Sequence, residues 1–261
     1  FFQDYDGDGT LEYISLSSAD LGYPKLKRKY YALDLFAERP FDGVWYGKLD
    51  YTFSRNYGNA EGQLLSDLGQ ADVSQTQNFD FPELMRDASG LLPNHRKHQI
   101  KALGMYQFAP EWIVSMRGIY ASGRPRNCLG GYDYPDRATN PSVGYGSSFF
   151  ICDGRPVPRG TFGNLPAVYS LDLGLRYAPK AVEGLQFAVD VYNVANRQSA
   201  TGIWERRNQG TSVTTVSPDW GRVINYTAPR SIEFTLRYDW GRGRSRSSSD
   251  TASTGGALPN G

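Results

Sequence analysis

Apolar and polar residues alternate strictly from Ser231 to Trp240. Ile232, Phe234, Leu236, Tyr238 and Trp240 fall on one side of an extended chain. Ser231, Glu233, Thr235, Arg237 and Asp239 fall on the other, because successive side chains of a strand point to opposite faces. The same period recurs upstream and predicts six earlier strands, Tyr30–Glu38, Val44–Ser54, His98–Phe108, Trp112–Ala121, Ala167–Tyr177 and Leu185–Ala195. In Val44–Ser54, Trp45, Leu49, Tyr51 and Phe53 oppose Lys48, Asp50, Thr52 and Ser54. In Ala167–Tyr177, Tyr169, Leu171, Leu173, Leu175 and Tyr177 oppose Ser170, Asp172, Gly174 and Arg176. Trp112–Ala121 is less regular, since Ile113 and Ile119 share a side with Ser115 and Arg117.

The connections alternate between short and long. Pro40–Gly43, Ala109–Glu111 and the stretch from Pro179 to Gly184 are turns, whereas residues 55–94, 122–166 and 196–228 are long loops. Runs of about 9–11 residues suit a tilted strand that crosses a bilayer and exceed the ~5–6 residues usual in globular sheets. Short turns at one end and long loops at the other are the organisation of an outer-membrane barrel. The expected fold is therefore all-β, an antiparallel up-and-down transmembrane β-barrel segment with lipid outside and a polar lumen inside. Bacterial barrels close with an even number of strands, and an open edge is not tolerated in lipid. The odd count predicts a C-terminal portion of a larger barrel over residues 27–240. Residues 1–26 are then part of an outer loop, and the Gly/Ser/Arg-rich residues 241–261 a disordered tail.

Composition changes this picture in four places. The mean hydropathy of −0.51 excludes a bundle of apolar helices, yet suits a barrel, half of whose strand residues face water. The 18 Tyr and 13 Phe supply rings for membrane interfaces. The net charge of +1 gives no field that would recruit nucleic acid. Cys128 and Cys152 lie in one long polar loop; they form either a disulfide, as suits an oxidising compartment, or two free thiols.

Several segments together resemble the C-terminal barrel of TonB-dependent outer-membrane receptors, the Oar-like group in particular. They are Lys27-Arg28-Lys29-Tyr30-Tyr31-Ala32-Leu33-Asp34-Leu35, Leu92-Pro93-Asn94-His95-Arg96-Lys97-His98-Gln99-Ile100-Lys101, Tyr120-Ala121-Ser122-Gly123-Arg124-Pro125, Asp190-Val191-Tyr192-Asn193-Val194-Ala195-Asn196 and Ala228-Pro229-Arg230-Ser231. In order and spacing they cover roughly residues 20–240. The resemblance implies a barrel of about 22 strands with a plugged lumen, located in the outer membrane of a Gram-negative bacterium. It also implies energised uptake of a scarce nutrient such as a siderophore or a carbohydrate. Its partners would be membrane lipid, an N-terminal plug and further strands that have no counterpart in this sequence, TonB through that plug, and a small extracellular ligand. Such receptors usually end at the terminal aromatic residue; here residues 241–261 follow Trp240. A non-transporting adhesin or structural barrel, and a soluble β-rich binding module, are the competing functions.

Local chemistry adds one candidate. Asp4-Tyr5-Asp6-Gly7-Asp8-Gly9-Thr10 carries carboxylates at alternating positions with Gly in between, the opening of a calcium loop. Ser15 stands where such a loop ends in Glu, so a calcium site at Asp4, Asp6 and Asp8 competes with a plain Asp/Gly turn. His95 and His98 fall on opposite faces of an extended chain and make a poor metal pair. No nucleophile elbow, phosphate loop or zinc motif is present, so no enzyme and no catalytic residue is expected. Lys48, Asp50, Arg117, Asp172, Arg176, Asp190, Glu233 and Arg237 are expected to face the lumen as a mutually compensating network. Tyr132, Tyr134, Tyr145, Phe149 and Phe150 either touch a ligand or pack the cysteine-bearing loop.

Overall fold

The alternating segments form one antiparallel meander. In the computed structural model, which describes residues 2–4, 6–13, 15–70 and 76–240, seven long strands lie side by side in chain order. They are β1 (Arg28–Arg39), β2 (Trp45–Gly58), β3 (His98–Ala109), β4 (Trp112–Ala121), β5 (Val168–Tyr177), β6 (Leu185–Tyr192) and β7 (Ser231–Tyr238). A two-residue strand, Gly90–Leu91, adds to the loop end of β2. The sheet is open, with β1 and β7 at its edges. The all-β, up-and-down architecture expected from the alternation is thus present as a segment, not as a closed barrel.

The register carries the apolar face across the whole sheet. Leu35, Tyr51, Ile100, Tyr120 and Tyr169 are successive cross-strand partners, as are Trp45, Tyr106, Val114, Leu175, Val189 and Phe234. A slip of one residue in any pair would turn that strand's apolar set to the other face. Among the described residues none covers the strand positions that stand most open on this face: Leu33 is 56% exposed and Phe234 77%. Rings gather at its two ends. Tyr51, Phe53, Tyr120 and Tyr169 stand near the long loops. At the turn end Phe108, Trp112, Tyr177 and Phe187 stack in series with centroids 6.2, 4.3 and 6.3 Å apart. At about 3.3 Å per residue, the stretch from Tyr169 to Tyr177 spans roughly 26 Å along β5.

Strand ends differ from the expected ones for local reasons. β2 runs on to Gly58, because β1 starts at Arg28 and pairs with it throughout. β6 stops at Tyr192, not Ala195: Asn193 and Asn196 adopt φ of 50° and 49°, the left-handed region that Asn tolerates best after Gly. β7 stops at Tyr238, not Trp240, because its partner β6 begins at Leu185, which pairs with Tyr238. Three short ribbons carry too few residues to show a period: Phe2–Gln3 with Glu12–Tyr13, Ile151–Cys152 with Arg155–Pro156, and Ala200–Ile203 with Val223–Tyr226. The disordered tail expected over residues 241–261 lies outside the described residues.

The buried apolar side chains among the described residues all lie outside the seven strands. Residues 59–70, 76–97, 122–167 and 193–230 fold together into a dome at one end of the sheet. Met85, Ala88, Leu129 and Phe150 form one cluster, and Leu84, Tyr134 and Phe149 another. Backbone bonds join the loops: Leu129 N–H donates to Glu205 O (2.9 Å) and Arg159 N–H to Asp87 O (2.9 Å). Gly123 opens the second loop where a Cβ would lie 1.6 Å from the Leu165 carbonyl oxygen, so no larger residue fits there.

Candidate functional site

Where the three loops meet, three buried charged side chains and a partly buried arginine gather near one amide. Asp67 sits in a 3-10 turn, Ser66–Leu68, in the first loop. Arg159 comes from the second loop and Glu205 from the third, while Arg124 follows β4. The Arg159 Nη1 atom lies 2.8 Å from Asp67 Oδ2, with side-chain exposures of 0% and 1%. That is an ion-pair distance without hydrogen-bond alignment, since Nε, Nη1 and Nη2 of Arg159 have no hydrogen-bond partner. The guanidinium also lies 4.7 Å from the centroid of the Phe150 ring, a cation–π contact that offsets part of its desolvation. Arg124 Nη1 donates to Glu205 Oε1 at 2.9 Å. Asn127 links the two carboxylates: its Nδ2 donates to Asp67 Oδ1 and Glu205 Oε2, and its Oδ1 accepts the Gly160 N–H.

A cavity of about 480 Å³ opens beside this cluster, lined by Asn94, Arg96, Arg124, Trp204, Glu205 and Arg206 among others. Asn56, on the polar face of β2, donates to Asn94 Oδ1 at its rim (2.6 Å). The cavity therefore belongs to the polar side of the sheet, at its loop end. Burial pushes Glu205 up to about 7, against the pull of Arg124 and with added repulsion from Asp67. Burial also raises Asp67, against Arg159, and lowers Arg206. Trp204 Nε1 and Arg206 Nε are buried without a hydrogen-bond partner. The site thus offers donors and a ring to a small polar ligand, next to a carboxylate that titrates near neutrality.

The residues singled out from the sequence are placed as follows. One carboxylate oxygen each from Asp4, Asp6 and Asp8 lies within 4.8 Å of the others. Asp4 accepts the N–H groups of Gly7 (2.6 Å) and Gly9 (2.9 Å), Asp6 that of Asp8 (3.2 Å) and Asp8 that of Thr10 (2.7 Å). Such bonds build an Asx turn by themselves. Cys128 and Cys152 are joined as a disulfide with a Cα–Cα distance of 5.4 Å. His95 Nδ1 accepts the Asn56 N–H (3.2 Å), and His98 Nδ1 lies 2.9 Å from the Tyr51 hydroxyl, so the two histidines serve different neighbours.

Of the loop aromatics, Phe149, Phe150 and Tyr134 are buried in the dome core and Tyr132 and Tyr145 pack on it; they pack the loop rather than await a ligand. The expected polar-face network is partial. Lys48 pairs with Glu38 (3.4 Å) and Asp50 (3.9 Å), and Arg237 with Asp239 (3.0 Å). Among the described residues Arg117, Arg176 and Asp190 make no ion pair, and Asp172 instead accepts Ser170 Oγ–H and the Asn193 N–H. Asp67, Asn127, Arg159 and Glu205 were missed. Only Asp67 carries a sequence signal, a lone charge between leucines in Leu65-Ser66-Asp67-Leu68; Glu205 is followed by Arg206 and Arg207, and Asn127 and Arg159 stand in ordinary polar loop sequence.

No family model matches the chain. The TonB-dependent transporter Oar of Myxococcus xanthus is 29% identical to it over 257 residues, covering 83% of this chain and 23% of that protein. The chain thus spans less than a quarter of the length of this curated relative. Among solved structures, the outer membrane transporter YddB from Escherichia coli aligns with a TM-score of 0.49 at 14% identity, over 82% of this chain and 25% of that one. The siderophore receptor PiuA from Acinetobacter baumannii aligns with a TM-score of 0.46 at 11% identity, over 82% and 22%. The likeness to Oar bears out the resemblance read from the sequence segments.

Proposed function

We propose, from this relationship to a TonB-dependent transporter, that the chain is the C-terminal barrel portion of an outer-membrane receptor for energised uptake of a scarce nutrient. The observation that carries the proposal is the register. It produces one continuous apolar face, banded by rings at both ends, with every long loop at one end. A water-soluble sheet would have to cover that face, whereas lipid covers it without further protein. The edges β1 and β7 pair with further strands of the same barrel, which removes the unpaired edges a bilayer excludes. TonB acts through a plug that fills the lumen. The cavity beside Glu205 faces that lumen at the outer end and contributes contacts to the small extracellular ligand on its way in.

Membrane fractionation tests the first part. The protein is expected in the outer-membrane fraction and in solution only with detergent; recovery from the soluble fraction without detergent would overturn it. Uptake tests the second. Accumulation of the nutrient is expected to stop when TonB is deleted, whereas surface binding that persists without uptake in the parent strain points to an adhesin.

A further inference from the structure

Register extends beyond the loop-end ring band. On β2, Arg55 and Tyr57 continue the row of Tyr51 and Phe53 on the apolar face, and Lys29 of β1 pairs across from Tyr57. These cations therefore stand just outside the lipid-covered zone, on its lipid side. Arg55 and Lys27, the residue just before β1, converge on one ring: Lys27 Nζ lies 5.6 Å and the Arg55 guanidinium 5.3 Å from the Tyr57 centroid. Beside them a groove of about 610 Å³ is lined by Phe53, Arg55, Tyr57, His95 and Lys97 among others, and among the described residues no carboxylate lines it. Further along the same band Arg197 lies over Tyr169 at 5.3 Å.

The opposite rim carries paired cations. At the turn end Arg39 pairs with Asp42, and Arg237 with Asp239. At the loop end Lys27, Lys29, Arg55 and Lys97 make no ion pair among the described residues. His95, in the groove wall, is held below the usual histidine range by burial first and then by Arg96, Arg55 and Lys97. Like charges this close repel, and a multivalent anion between them relieves the repulsion. Guanidinium and ammonium groups both bind phosphate oxygens, and basic clusters at a membrane surface attract anionic lipids.

We propose that this groove binds the phosphate of a phosphorylated lipid headgroup in the leaflet on the loop side. The acyl chains then run down the apolar face past Phe53 and Tyr51, and the phosphate sits among Arg55, Lys97 and Lys27. The proposal rests on the membrane location proposed above.

The test extracts the protein from outer membranes in mild detergent and measures co-purified phosphorylated lipid by native mass spectrometry. Relative to wild type, Arg55→Gln combined with Lys97→Gln is expected to lose retained lipid several-fold. Lys101→Gln, on the polar face, is expected to keep it. Circular dichroism verifies that each variant folds. Delipidated wild-type protein is titrated in parallel with a short-chain phosphatidic acid and with inorganic phosphate. Binding of the lipid, weakened by salt, with no comparable binding of phosphate supports the proposal. Unchanged lipid in the double variant, or inorganic phosphate binding as well as the lipid, overturns it. Absence of the protein from the membrane fraction would sink the membrane location itself, a result distinct from membrane protein that retains no lipid.

Discussion

The sheet and the dome bury opposite things. The sheet leaves its apolar residues uncovered, with Leu236 67% and Leu175 39% exposed, and is held by backbone ladders between neighbouring strands. The dome buries Leu92, Leu129 and Phe149 almost completely and is held by a disulfide, packed rings and buried ion pairs. In a water-soluble β-protein the connections lie on the surface and the strands enclose the core. On the proposed membrane location the inversion has a simple reading: two solvents act on this chain, lipid completing the sheet while the dome stands in water and must supply its own interior.

The sharpest way to break the comparison is to uncouple the dome's buried charges. Asp67→Ala leaves Arg159 buried without its counter-ion and is expected to destabilise the dome by about 3–5 kcal/mol, read as a drop in denaturant midpoint. The sheet's circular dichroism should persist; if both regions melt together, they are one cooperative unit. Next comes the disulfide. Replacing Cys128 and Cys152 by Ser frees a loop of sequence separation 24 and should cost about 3 kcal/mol of dome stability, visible as faster proteolysis within residues 122–167. For the sheet, Leu173→Arg puts a cation midway between Tyr169 and Tyr177 on the apolar face. If lipid covers that face, unfolding of the inserted protein shifts by about 2–4 kcal/mol; if water does, the change is near zero.

A smaller effect comes from pH. Glu205 in the folded dome titrates at about 7, above its usual value of 4.5. The folded state therefore holds a proton that the unfolded state releases between those values. That contribution is complete below about pH 4.5 and fades as pH rises through 7. Glu205→Gln is expected to flatten this part of the stability profile, measured by thermal unfolding at pH 5 and pH 8. The smallest effect belongs to the acidic turn. If Asp4, Asp6 and Asp8 hold calcium, calorimetry at millimolar concentrations shows heat that Asp6→Asn removes; no heat in the wild type leaves a plain Asx turn.

The sheet was legible in the sequence because a strand's period of two is written into every residue of it. From Ser231 onward the alternation predicted the face of each side chain. Strand ends were less legible: Asn193 ends β6 through a left-handed φ that no pattern announces. The dome was largely closed to sequence reasoning. Asn127 reaches Asp67 across 60 residues and Glu205 across 78, and such contacts obey no local period. Arg124 was visible as part of a segment shared with a family, but its partner Glu205 was not. The rings Phe149 and Phe150 were seen, and only packing decided between core and ligand platform.

The meander has a consequence in time as well as in space. Each strand bonds to the strand next to it in sequence, so the sheet can grow by three hairpins that each close a short turn at small entropic cost, β1–β2, β3–β4 and β5–β6, which then join side by side. The dome must wait for three loops to arrive before its distant charges meet. Assembly should therefore proceed from edge to edge in the plane of the sheet, with the cap setting last. A chaperone that holds the growing edge would need to guard only one strand at a time.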